Sequence, residues 1–186
     1  MEASGCAGRL VPGCRFVQGI YRKYDRTFVT LLGMQYFNQG TKVLVVLASQ
    51  DLFKDYFGLE PSVVQNAQAF VAIPWSLKMF YGLLSDNVPI CGSRRKAYLI
   101  LGGLLQFFCM LVLTIYPTES PLLAYAMLFL SNTAVALSDV VVDSLLVMYS
   151  REYPEEGTEE LTSFAGICLG FGGLIGSLVV AFITEL

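Results

Sequence analysis

Residues 74–96 read PWSLKMFYGLLSDNVPICGSRRK. An apolar helical pattern runs out at Gly82-Leu83-Leu84-Ser85-Asp86. A short loop with Pro89 and Gly92 follows, then Arg94, Arg95 and Lys96, and then a second apolar run. Two apolar segments that flank a loop of one acid and three bases suit the face of a membrane on which positive charge is retained.

The surrounding composition agrees. The chain has 186 residues, of which 55% are hydrophobic and 15% charged, against about 25% charged in ordinary soluble domains. That excess of apolar residues predicts an all-α integral membrane protein. The net charge of −3 is small, and the basic clusters have no interleaved aromatics suited to base stacking, so nucleic acid is not an expected partner. There is no histidine, which removes imidazole bases, Ser-His and Cys-His pairs and the commonest zinc ligand. Cys6, Cys14, Cys91, Cys109 and Cys168 are scattered, with no CxxC pair. No metal, cofactor or enzymatic activity is expected.

Five segments are long and apolar enough to be read as transmembrane helices: 28–47, 63–84, 97–116, 122–148 and 161–183. They make residues 28–186 a transmembrane helical domain in the lipid bilayer, behind a basic N-terminal tail at 1–27. The tail carries Arg9, Arg15, Arg22, Lys23 and Arg26, and the second-to-third loop carries Arg94, Arg95 and Lys96. The opposite loops carry only Lys54. This imbalance predicts a cytosolic N-terminus. The fourth-to-fifth loop falls on the same side although it is acidic (Glu152, Glu155, Glu156, Glu159, Glu160), because acids weigh little in the rule. The tail reads as a cytosolic anchor in preference to a transit peptide, and the plasma membrane is preferred to a plastid or other organelle.

Four ionisable residues fall within these segments: Lys42, Lys78, Asp139 and Asp143. Each costs about 2.5–3.5 kcal/mol near a helix centre, so they are expected to pair or to face water. Asp139 and Asp143 are one turn apart on one helix face. Two such carboxylates repel and can exchange a proton, as a proton-coupled carrier requires. Lys78 lies about 12 Å from Asp86 and Asp139 about 15 Å from Tyr149 along their helices, similar depths at which they can meet. Such a pair either fixes packing or takes part in a transport cycle. Gln35, Asn38, Gln39 and Thr41 precede or adjoin Lys42 on the first helix. They read either as hydrogen-bonding contacts between helices or as a polar wall that touches solute. In the fifth segment, Gly166/Gly170 and Gly172/Gly176 repeat the spacing that lets helices approach closely. That run is not a dinucleotide fingerprint, since Ile175 stands where glycine is required and no strand precedes it.

Gly82-xxx-Asp86, followed by Gly92 and Arg94-Arg95-Lys96, resembles the cytosolic loop motif between helices two and three of the major facilitator superfamily. With Pro74-Trp75-xx-Lys78, Asp139-Val-Val-Val-Asp143 and Tyr36-Phe37-xx-Gly40, the chain resembles the folate-biopterin transporter family over residues 28–183. The resemblance implies a membrane carrier for folates, pterins or a related small organic anion, coupled to protons as a symporter. It implies a substrate or coupling role for Lys78, Asp139 and Asp143 and a cytosolic latch at Gly82, Asp86, Gly92, Arg94 and Arg95. Two positions depart from the family pattern: Met79 stands where proline is expected, and Met148 where glutamate is expected. The superfamily fold has two six-helix halves with the solute between them. Five segments therefore suggest an N-terminal part, a short form or an incomplete reading of a longer carrier, completed by a C-terminal half or by oligomerisation. The alternatives are a non-transporting membrane scaffold or regulatory fragment, and a carrier of another solute such as an amino acid or sugar.

Overall fold

The structure, a computed structural model, describes residues 12–90, 92–93, 95–116, 120–152 and 157–184. Arg9, Arg94, Glu155 and Glu156, named above from sequence, lie outside them. Among the described residues there are seven α-helices and no strand; the only extended pairing is an isolated bridge between Ile90 and Ser93. The helices are α1 (Pro12–Lys23), α2 (Arg26–Asp51), α3 (Pro61–Ser76), α4 (Lys78–Asn87), α5 (Lys96–Ile115), α6 (Pro121–Ser150) and α7 (Gly157–Thr184).

Local chemistry sets the ends. The Asp25 carboxylate caps α2 by accepting from the Thr27 amide at 3.1 Å. Pro61 and Pro121 open α3 and α6, where their missing N–H costs nothing. The α4–α5 turn closes through reciprocal amide–carbonyl bonds between Ile90 and Ser93 at 3.0 and 3.2 Å. Gly92 sits there at φ +74°, where a side chain would be strained. The Tyr98 hydroxyl donates to the Val88 carbonyl at 2.8 Å and so ties this turn to α5.

Two departures from the sequence reading have clear physical causes. The segment at 63–84 is not one helix but two. Pro74 has no N–H to donate, and Leu77 leaves the helix at φ −91°, ψ 8°. Lys78 therefore begins a new helix. Within the N-terminal tail, residues 12–23 form an amphipathic helix. Ile20 is buried, with Tyr24 just beyond the helix, while Arg15, Gln18 and Arg22 are exposed. The Lys23 ammonium and the Tyr24 hydroxyl both donate to one Glu160 oxygen, at 2.8 and 2.9 Å, and hold α1 against the start of α7.

Helix α6 is the centre of the bundle and touches α2, α3, α4, α5 and α7; α2 packs along α7, and α5 along α6. Two apolar cores sit at opposite ends. One joins Ile20, Phe28, Leu32, Val142, Leu161 and Phe164. The other joins Phe53, Val64, Val71, Ala124 and Leu128. Outward faces are apolar, as at Leu104, Phe107 and Phe108 on α5 and Phe171, Leu174 and Phe182 on α7. By length and composition α5, α6 and residues Gly157–Ile183 are each able to cross a membrane. Twenty helical residues reach about 30 Å. The chain is thus an all-α membrane protein. Helix α2 is long enough but carries Gln35, Asn38, Gln39 and Lys42, and the break at Leu77 divides α3 from α4, so neither segment is among those three.

Candidate functional site

Between the two apolar cores lies a polar layer built from α2, the α3–α4 break, α5 and α6. At the break, the Lys78 ammonium forms an ion pair with Asp139 Oδ2 on α6. Asp139 is 2% exposed, so its charge depends on that partner. One turn further along α6, Asp143 accepts a hydrogen bond from the Tyr36 hydroxyl of α2 at 2.6 Å. It makes no ion pair among the described residues. The two acids, equivalent in spacing, thus have different environments: one is neutralised by a cation and the other is held by a phenol.

Trp75, just before the break, organises the lysines. The Lys78 ammonium lies 4.4 Å from the centre of its ring, and that of Lys42, from α2, lies 4.3 Å from it. Cations are drawn to the negative face of an indole. The Trp75 ring N–H donates to Asn132 Oδ1 on α6 at 3.3 Å, which fixes the ring. Asn38 donates to Gln106 of α5 at 3.2 Å, and Gln68 to Ser49 at 2.7 Å. These groups line a cavity of about 50 Å³ together with Thr41, Ser131 and Lys42.

The sequence singled out Lys42, Lys78, Asn38, Asp139 and Asp143, and the fold gathers all five into this layer. Gln35 and Gln39 are half-buried on α2, and their side chains make no hydrogen bond among the described residues. Trp75, Asn132, Gln106 and Tyr36 had no assigned role. Their partners are on other helices, which spacing along one helix cannot reveal; Trp75 and Tyr36 stood out only within the motifs of the resemblance, and Asn132 and Gln106 only by their polarity within apolar runs.

At the end of the bundle that holds α1, Asp86 faces Arg95 at 3.9 Å, a loose and exposed pair. The Arg95 guanidinium also donates to the Met148 sulfur at 3.2 Å, a weak acceptor. Gly82 packs on Val140 of α6, where an added Cβ would come within 3.4 Å of the valine methyl. Gly92 forms the turn already described. A cleft of about 840 Å³ runs between Asp25 and Phe28 of the α2 entry, Asp86, Arg95 and Lys96 of the loop, and Tyr149 of α6. Both basic segments therefore share one end of the molecule.

A protein-family model described as the BT1 family matches residues 39–186. The protein named Folate-biopterin transporter in Synechocystis sp. is 35% identical over 150 residues, 81% of this chain and 30% of that protein. Probable folate-biopterin transporter 4 of Arabidopsis thaliana is 33% identical over 154 residues, 82% of this chain and 31% of that protein. Folate transporter 1 of Plasmodium falciparum is 30% identical over 132 residues, 71% of this chain and 25% of that protein. The chain spans a quarter to a third of the length of these relatives. No solved structure matches it. With the match running through most of the chain and taking in Lys42, Lys78, Asp139 and Asp143, this protein belongs to the BT1 family of folate-biopterin transporters.

Proposed function

We propose that this chain is the N-terminal part of a proton-coupled carrier for folates, pterins or a related organic anion, working by alternating access in the complete protein. The observation that carries the reading is the unequal treatment of the two acids on α6. Lys78 neutralises Asp139, so that pair sets the position of α4 against α6 through the helix break. Among the described residues Asp143 has only the Tyr36 hydroxyl, and it is the group that takes and releases the proton. The relatives' names supply the solute class. Both basic segments at one end support a cytosolic N-terminus. On this reading Gly82, Asp86, Gly92 and Arg95, with Arg94, form a latch on the cytosolic side that favours one access state.

A chimera tests the reading. Residues 28–184 replace the aligned segment of the Synechocystis relative, and uptake of labelled folate and biopterin is measured in cells with equal surface expression. Saturable uptake of either solute, stimulated by an inward proton gradient, is expected. A chimera that reaches the membrane at parental levels and carries neither solute would count against the reading and favour a non-transporting membrane protein.

A further inference from the structure

Lys42 is the cation that the proposed cycle does not use. It projects from mid α2 into the polar layer, and among the described residues no carboxylate lies within ion-pair distance of it. It shares the Trp75 ring with Lys78, so two like charges rest on one indole, and of the two only Lys78 is in contact with Asp139. The cavity beside it is partly apolar, through residues such as Val45, Val71 and Met110, and its polar lining of Asn38, Thr41, Gln68, Gln106, Ser131 and Asn132 includes no acid. The orientation of Asn132 is determined. An indole N–H can only donate, so the oxygen of Asn132 must face Trp75 and its NH2 group is left over. Asn38 donates to the Gln106 oxygen, which leaves the Gln106 NH2 group as well. The site thus offers an ammonium and two unspent amide donors.

We infer that Lys42, with Asn132 and Gln106, is the seat for a carboxylate of the solute. It would thereby be the residue that sets preference for carboxylate-bearing solutes such as folate over uncharged pterins. The inference rests on the carrier reading above and adds a division of labour to it. Lys42 receives solute charge, Asp143 handles the proton, and Lys78–Asp139 holds the helices. A carboxylate arriving at Lys42 also relieves the repulsion between the two lysines, so solute binding stabilises the layer.

Trp75 is the only tryptophan of the chain, so its emission reports on this site. The purified chain in nanodiscs would be titrated with folate and with biopterin, and with N-acetylglutamate as an optically silent dicarboxylate, using free tryptophan to correct for absorption. N-Acetylglutamate is expected to displace folate and not biopterin, a test that needs no variant. Lys42→Gln is expected to weaken folate at least about tenfold with a much smaller effect on biopterin, and Lys42→Arg to retain folate. If the wild-type chain binds both solutes but Lys42→Gln leaves folate unchanged or weakens both equally, the seat is elsewhere and the carrier reading stands. If N-acetylglutamate displaces neither solute or both, the assignment is likewise wrong. Absence of binding of either solute by the wild-type chain would remove the solute reading at this layer and the inference with it.

Discussion

A carboxylate that is 2% exposed at mid-depth keeps its charge only against a cation, and Asp139 has Lys78. Removing one partner leaves the other's charge stranded. Asp139→Asn is therefore expected to lower the melting temperature of the purified protein. The cost should fall below the about 3–5 kcal/mol of a fully buried pair, because a third of the Lys78 side chain is exposed. Adding Lys78→Met should recover most of the loss, since no charge is then left without a partner. A double variant no more stable than the single one would show that the pair is not what holds α4 on α6. A second expectation concerns Arg95, whose guanidinium donates to a thioether. Met148→Glu gives it a carboxylate, and at this exposed position the gain is expected to be below about 1 kcal/mol. The gain should vanish in the Arg95→Gln background, as thermal melts of the four proteins would show. At this scale the meeting of Lys78 and Asp139 was legible, because equal depth along two helices is a one-dimensional property. The asymmetry between Asp139 and Asp143 was not, because it depends on Tyr36 and Lys78 arriving from other helices.

The helices touch where their side chains are smallest. Gly40 of α2 lies against α7 so closely that a Cβ there would stand 2.8 Å from the Gly173 amide nitrogen, and closer still to the Leu169 carbonyl. Backbone cannot yield as a side-chain tip can, and overpacking typically costs about 1–3 kcal/mol. Gly40→Ala is expected to destabilise by that amount in thermal unfolding. Gly166→Ala on the same helix pair, where nothing lies within 4 Å, should be neutral or gain up to about 1 kcal/mol from helix propensity. Equal effects of the two changes would mean that α2 and α7 are not in close contact. The glycine spacing in α7 was legible, but only Gly172, Gly173 and Gly176 approach α2; a spacing announces a close approach without saying which half of it is used. The break before Lys78 had its signal in Pro74, and the length of the apolar run masked it. Helix α1 was missed because its apolar stripe of Phe16, Val17, Ile20 and Tyr21 is too short and too interrupted by bases to read as a membrane span, and it becomes meaningful only against the α2–α7 end that buries it.

At the scale of the whole molecule, α1, the Asp86–Lys96 loop and the start of α7 share one end, and the positive charge there predicts the cytosol. Ser93→Cys is expected to resist an impermeant thiol reagent in intact cells and to react after permeabilisation; labelling of intact cells would invert the topology. The helical class and the position of the polar layer were readable because hydropathy and charge are written along the chain. What the layer does depends on charges brought together from three helices, α2, α4 and α6. The account therefore rests most directly on the proton dependence of transport in the Synechocystis chimera, measured as folate uptake at acidic and neutral external pH for the parent, Asp139→Asn and Asp143→Asn at matched surface expression. The account predicts that Asp143→Asn inserts normally and loses the acid stimulation, while Asp139→Asn needs higher expression to reach the matched surface level because of its lost stability. Full acid stimulation in Asp143→Asn would contradict it.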